Sequence, residues 1–265
     1  MTSSPFQSLA GDYDRAFTDS LLGRRMRQAV WRRLEARFAP GDRILELNCG
    51  TGEDALYLAQ RGVFVLATDA APDMLRIAQA KIRRAGAKGK VRFHPMQIEA
   101  LAGAAFPYPE DVPALGFDGA LSNFGGLNCV SGLDGVAAGL ARCLRPGGVI
   151  VLCVMGPFCP WEWGWFLRQR QPGKAFRRLR PGGVSWRGLT VSYPTIRKVR
   201  RAFAPHFRLL RAAAIGALLP PPYTESWIAQ HVRLLDILAR WERRVESLPI
   251  LPALADHYLL EFERV

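Results

Sequence analysis

Residues 44–55 read Ile44-Leu45-Glu46-Leu47-Asn48-Cys49-Gly50-Thr51-Gly52-Glu53-Asp54-Ala55, an apolar strand-like run that enters a glycine turn and opens a helix. Outward from this stretch the chain alternates. A helical segment at 53–60 leads to an apolar run at 63–67, and Pro72 starts a second helix that Gly86 stops. Strand-like runs follow at 91–93, 119–121 and 149–154, with a helix at 133–144 and a Pro146-Gly147-Gly148 turn before the last of them. Strand and helix in alternation predict a parallel sheet covered on both faces, an α/β, doubly wound, Rossmann-like fold. Two more runs, 207–217 and 258–262, bring the expected sheet to seven strands. Ahead of it, residues 18–38 carry Leu21, Leu22, Met26, Val30, Leu34 and Phe38 at helical spacing and close at Pro40-Gly41, which predicts an amphipathic N-terminal helix. The expected organisation is an N-terminal helical lid over 1–40 and a main domain over 41–265. Two insertions should form lids: a basic, aromatic one at 156–201 after the fifth strand, and a helical one at 218–250 after the sixth.

The glycine loop narrows the ligand. Gly50-x-Gly52-x-x-Ala55, with Asp69 nineteen residues beyond Gly50, also fits the dinucleotide fingerprint. A dinucleotide places its pyrophosphate at the helix N-terminus, where exposed N–H groups and the dipole favour anions. Here Glu53 and Asp54 occupy that first turn and Glu46 lies in the preceding strand, and three carboxylates would repel a pyrophosphate. A ligand that joins adenosine to a cationic, phosphate-free tail reverses the sign: Glu46 attracts the cationic end and Asp69 accepts both ribose hydroxyls. That ligand is S-adenosylmethionine (SAM).

Three segments in order, Glu46-Leu-Asn-Cys-Gly50-Thr-Gly52, Ala67-Thr-Asp69-Ala-Ala-Pro-Asp-Met74-Leu and Leu144-Arg-Pro-Gly-Gly148, together resemble class I SAM-dependent methyltransferases of the small-molecule type. The resemblance extends from about residue 41 to 154. It implies that Glu46, Asn48, Gly50 and Gly52 line the methionyl and ribose side, that Asp69 and Ala70 hold the ribose, and that Met74 packs near the adenine. It further implies that Gln97 and Ile98 meet the adenine and that Asn123 and Phe124 border the methyl group. The chain departs from the family in having Asn48 and Glu53 where glycine is usual and Gln97 where aspartate is common. The Gln97 amide oxygen can still accept from an adenine amine.

An acceptor would approach over the carboxyl ends of the strands. Tyr13 and Phe17 from the N-terminal stretch, Trp161 and Trp165 from the aromatic insertion, and Tyr193 are the expected substrate contacts. They would suit a small, flat or lipophilic acceptor, possessing an anionic group if the nearby arginines take part. Methyl transfer is a single in-line displacement for which alignment supplies much of the catalysis. If the acceptor is a hydroxyl, Tyr13, Tyr193 or His231 is the candidate base. No His/Cys/Asp/Glu cluster has metal-ligand spacing, so no metal is expected. Pro221-Pro222-Tyr223 has the look of the amino-methylating PPY motif, yet it follows the sixth strand and not the fourth, and its expected role is to break that strand.

The 265 residues carry 36 Lys+Arg against 23 Asp+Glu, a net +13. Residues 156–201 alone hold eleven basic residues and one acidic one, with four of the seven tryptophans. This charge keeps two other functions open: an RNA- or DNA-modifying methyltransferase that neutralises phosphates with the basic segment, and a non-catalytic SAM-binding protein docked on anionic lipid through residues 177–201. Against the first, no appended RRM, KH or OB-like module is legible. Five cysteines with no CxxC pair read as reduced thiols, and with no export signal or membrane-spanning run in the sequence a cytoplasmic location is expected.

Overall fold

The computed structural model describes residues 10–103 and 106–265, so the first nine residues of the expected N-terminal lid lie outside the described residues. A short helix α1 (Ala10–Tyr13) runs into a wider turn over Asp14–Thr18 and then into α2 (Leu21–Glu35). The helix expected from residue 18 begins later because Ser20 is its cap: the Ser20 hydroxyl accepts from Gly23 N at 2.9 Å.

The sheet alternates as the sequence predicts. β1 (Arg43–Leu47), α3 (Glu53–Gln60), β2 (Phe64–Asp69), α4 (Pro72–Arg84), β3 (Val91–Pro95), β4 (Phe117–Ser122), α5 (Leu133–Cys143) and β5 (Leu144–Met155) form its parallel part. The expected Pro146-Gly147-Gly148 turn lies inside β5, at an irregularity where the register with β4 shifts between Phe117 and Gly119. Beyond β5 come α6 (Pro160–Arg168), α7 (Pro172–Ala175), a hairpin of β6 (Val184–Trp186) and β7 (Leu189–Val191), α8 (Ile196–Phe203) and β8 (Phe207–Ile215). The hairpin is absent from the expected elements. The helical insertion expected at 218–250 holds two helices, α9 (Glu225–Ile228) and α10 (Val232–Val245), before the last strand β9 (His257–Arg264). Glu225 explains the break, since its carboxylate accepts from Leu21 N and Leu22 N at 2.6 and 3.2 Å and so ties α9 to the start of α2.

The seven-stranded order is β3-β2-β1-β4-β5-β9-β8, with β9 antiparallel to both neighbours. Side-chain alternation divides the core into two layers. In β5, Ile150, Leu152 and Val154 join the layer beneath α5 and α8, while Val151 and Cys153 join the layer beneath α2 and α3. Glu261 of β9 is fully buried in the second layer, and it is held there by Arg33 Nε and Arg37 Nε of the α2 region, each at 2.6 Å. The strand order reverses between β1 and β4, where Leu47 lies opposite Ser122. A crevice opens beyond those two strand ends, at the switch point of the sheet.

Candidate active site

The loop after β1 requires its glycines. Gly50 and Gly52 have φ of +53° and +76°. A Cβ on Gly52 would lie 2.7 Å from that of Ala78, so glycine lets α3 and α4 meet there. A Cβ on Gly50 would meet nothing within 4 Å and would project into open space. Asn48, which stands where the family resemblance leads one to expect glycine, has φ +50°, a conformation asparagine tolerates. Its side chain is in use: Nδ2 donates to Asn123 O at 2.8 Å and Oδ1 accepts from Ser122 Oγ at 2.6 Å, which clamps the ends of β1 and β4 together.

Asp69 ends β2 and accepts from Gly50 N at 2.9 Å through one oxygen and from Ala71 N at 2.8 Å through the other. Burial pushes its carboxyl above the ordinary range, while these amides oppose the shift. The carboxylate is thus aimed by the glycine loop and keeps lone pairs for a ligand. Glu46 is only 2% exposed, and its Oε2 has no hydrogen-bond partner. Burial, with Asp54 nearby, pushes its carboxyl well above the ordinary range, and Arg27 only partly offsets this.

The first-turn carboxylates of α3 are not free. Asp54, itself buried, accepts from Arg27 Nη1 at 2.5 Å, Trp31 Nε1 at 2.6 Å and Asn123 Nδ2 at 2.9 Å. Lys81 Nζ lies 2.8 Å from Glu53 and 2.9 Å from Asp14, and Asp14 accepts from Thr51 Oγ1 at 2.6 Å. Repulsion of a pyrophosphate by three unpaired carboxylates, as expected from the sequence, is therefore corrected: two of the three are paired. Arg27, Lys81 and Asp14 are the site residues that sequence reasoning missed.

Asn48, Gly50, Asp54, Asp69 and Arg27 line a cavity of about 850 Å³, whereas Glu46 and Gly52, expected on its methionyl and ribose side, do not line it. One half holds Gly50, Asp69, Ala70, Met74, Gln97 and Ile98, and the turn after β4 contributes Asn123 and Phe124. Tyr13 stands on that same side, packed against Ala71 and Met74, and the other half holds Cys129, Val130, Met155 and the hairpin residues Val184, Trp186, Leu189 and Val191, with Arg177, Arg187 and Tyr193. The hairpin is anchored there by Asn128, whose Nδ2 donates to Ser192 O at 2.7 Å and to Met155 O at 2.9 Å.

Of the expected substrate and base residues, four are placed elsewhere. Trp161 and Trp165 do not line the cavity: Trp161 Nε1 donates to Leu218 O at 3.1 Å, and both rings lie about 6.5 Å from Trp227, packing the insertion onto α9. Trp186 of the hairpin stands where they were expected. Phe17 is behind the wall, its ring 4.9 Å from that of Phe124. His231 precedes α10 as an exposed cap with Nδ1 2.9 Å from Trp227 O, outside the cavity, because the break between α9 and α10 turns it to the surface. Tyr223 of the Pro-Pro-Tyr segment packs against Phe166 at 5.0 Å, after β8 and away from the turn after β4.

Arg178, within the segment 177–201 considered for docking on anionic lipid, is 5% exposed. Its Nε donates to buried Glu162 at 3.0 Å, its Nη1 to Asp256 O at 2.9 Å, and its Nη2 pairs with the Asp256 carboxylate. Arg177 donates to the same Glu162 through Nε at 2.8 Å and so is held at the cavity wall.

Glu46 gives a pH-dependent prediction. A carboxyl whose proton is held more tightly in the folded chain contributes full stability below the ordinary carboxylate range, and that contribution is lost as pH rises through its raised folded value. Glu46→Gln removes this loss. It is expected to melt higher than wild type at pH 8 by about 1–3 kcal/mol of stability, the order of an unsatisfied buried polar group, with the difference shrinking toward pH 4. Calorimetric melts across that range check it; a variant less stable at pH 8 sinks the idea.

The strand order, the glycine loop and the acidic residue closing β2 define a doubly wound α/β fold with a ligand crevice at its switch point. Residues 44–148 match the family model described as a methyltransferase domain. A demethylmenaquinone methyltransferase of Clavibacter sepedonicus is 34% identical over 154 residues, a stretch that spans 57% of this chain and 56% of that relative's own length. Among solved structures, a SAM-dependent methyltransferase from Mesorhizobium loti superposes with a TM-score of 0.55 at 19% identity, covering 89% of this chain and 98% of that one. A [4+2]-cyclase superposes with a TM-score of 0.56 at 19% identity, covering 89% and 79%. Among the described residues no helix is long and apolar enough to cross a membrane.

Proposed function

We propose that this chain binds SAM in the half of the cavity around Asp69 and transfers its methyl group to an oxygen or carbon of a small, lipophilic, aromatic acceptor held in the other half. The observation that carries the cofactor reading is the pairing of Asp69 with the Gly50 and Ala71 amides beside the orphaned Glu46 oxygen. The residues fit the group: the Asp69 carboxylate suits a ribose diol, and the open space over Gly50 admits a ligand against the backbone. Met74, Gln97 and Ile98 would take the adenine. When bound, SAM supplies an electrophilic methyl group.

The protein's part is alignment and exclusion of water. Val130, Met155, Val184, Trp186, Leu189 and Val191 offer an apolar wall, which suits a lipophilic ring. The name borne by the relatives, demethylmenaquinone methyltransferase, supports the same acceptor class. Burial raises the phenols of Tyr13 and Tyr193 above their ordinary range, although neighbouring arginines oppose the shift. Both hydroxyls are therefore protonated at neutral pH and would orient the acceptor by donating a hydrogen bond. His231 is too far out to serve as base.

Because a fold of this class also houses a [4+2]-cyclase, cofactor binding and methyl transfer need separate tests. Titration calorimetry with SAM should give micromolar affinity for wild type and at least about 100-fold weaker binding for Asp69→Ala, which loses two charge-assisted hydrogen bonds. Wild type that binds no SAM overturns the reading. Radiolabelled methyl transfer to a panel of quinols and phenols then tests the acceptor class.

A further inference from the structure

Helix α10 has an outer face that the core does not use. Leu235, Glu242 and Glu246 turn inward and are buried. Outward, Leu234, Ile237 and Trp241 recur at i, i+3 and i+7 with exposures of 36%, 43% and 54%, and Leu248 and Ile250 extend the stripe at 55% and 72%. Charge on the helix is sorted by sign. Asp236 pairs with Arg25 of α2, Glu242 accepts from Gly216 N, Leu218 N and Leu219 N at 2.7–2.9 Å, and Glu246 pairs with Arg32 at 3.4 Å. Arg233, Arg240, Arg243 and Arg244 are all exposed, and on a helix Arg233, Arg240 and Arg244 lie along one flank of the apolar stripe. The Arg244 guanidinium lies 5.4 Å from the Trp241 ring centre. That flank borders a cleft of about 440 Å³ between α2 and α10, where Arg25, Arg32, Arg240 and Arg243 outnumber the two carboxylates of the lining, Asp236 and Glu242, over a floor that includes Ala29 and Leu219.

We propose that α10 and this cleft dock the protein on an anionic lipid bilayer, with Leu234, Ile237 and Trp241 entering the interface and the arginines on the headgroup phosphates. A stripe of large apolar side chains with tryptophan, edged by arginine, is the composition of a helix lying in a membrane interface. A second copy of this chain would bring the same arginines against themselves in a two-fold contact, and a nucleic acid would leave the apolar stripe without a partner. The basic segment that first suggested docking, residues 177–201, is not needed: Arg177 and Arg178 are committed to Glu162. The proposal does not depend on methyl transfer.

The test is co-sedimentation of the full chain, without SAM, with vesicles of phosphatidylcholine alone or mixed with phosphatidylglycerol. Binding is expected to the mixed vesicles only and to weaken as salt rises. An Arg233→Gln, Arg240→Gln, Arg244→Gln triple variant should bind about 100-fold more weakly, roughly fivefold per arginine. An Ile237→Ser, Trp241→Ser double variant should lose at least about tenfold. Neutralising exposed Arg197, Lys198, Arg200 and Arg201 on α8 should change binding by less than about twofold, since the effect is local to α10. The altered side chains are exposed, and melting curves verify that each variant folds. No sedimentation with anionic vesicles overturns the proposal, as does loss of binding in the α8 variant with the α10 variants unaffected. Dimerisation that the Ile237→Ser, Trp241→Ser variant abolishes, without vesicle binding, would also overturn it and assign the face to a second copy.

Discussion

Arg178→Met is expected to destabilise the fold by about 3–5 kcal/mol, the cost of leaving a buried carboxylate without its cation. Asp256 is 3% exposed and receives Arg178 from one side and His257 Nδ1 at 3.0 Å from the other. Burial alone would raise its carboxyl, yet Arg178 and His257 together hold it well below the ordinary range. Methionine fills much of the volume of the arginine stem, so the loss is mainly electrostatic. In a chain of this size each kcal/mol moves the melting temperature by roughly 2–4 °C, and a drop near 10 °C is the expected calorimetric result. The double variant Arg178→Met, Asp256→Asn should recover at least about 1 kcal/mol of the loss, because the orphaned charge is gone; strictly additive single losses would refute the pairing argument. Arg178 also bridges Glu162, which steadies Arg177 at the cavity wall. The single variant should therefore weaken acceptor binding more than SAM binding.

What the sequence reveals and what it conceals divide along chain separation. The seven-stranded sheet is legible because each strand carries its own apolar run and each βα turn its own glycine or proline, and these are local signals. Gly50, Gly52 and Asp69 are legible for the same reason: the left-handed conformations at 50 and 52 favour glycine, and the carboxylate ends an apolar run. The pairs that set the electrostatics of the site are not local. Arg27 and Asp54 are 27 residues apart, Lys81 and Glu53 are 28 apart, and Asp14 and Thr51 are 37 apart. No periodicity joins them, so a carboxylate counted as free from its position at a helix start is neutralised from another element. The tryptophans mislead in the opposite way. Trp161 and Trp165 were visible as a cluster, but large rings serve an insertion first as its own core, and Trp227 completes that core from far along the chain. The hairpin did leave a trace: Val-Ser-Trp and Leu-Thr-Val flank Arg187-Gly188, two three-residue β-prone runs around a two-residue turn with φ of +49° and +84°.

Arg27 is where stability and ligand charge meet, and its removal should affect both. The guanidinium is 5% exposed, pairs with Asp54 at 2.5 Å and lies 5.7 and 5.0 Å from the ring centres of Phe17 and Phe124. Burial works against its charge, but the Asp54 carboxylate, through its charge and the hydrogen bond it accepts, favours the ion. Arg27→Met leaves Asp54 with Trp31 and Asn123 but no cation, an expected loss of about 3–5 kcal/mol that Asp54→Asn should partly reverse. The cavity loses a positive charge at the same time. Where the chain remains folded, the ratio of affinities for SAM over its product S-adenosylhomocysteine, which lacks the sulfonium charge, should rise several-fold, because only the sulfonium feels the missing repulsion. Paired titrations of both ligands into wild type and Arg27→Met measure that ratio, and the two predictions can fail separately. An unchanged melting temperature would deny the buried pair, while an unchanged ratio would place the sulfonium outside the reach of Arg27 and move the methyl-transfer point away from the turn after β4.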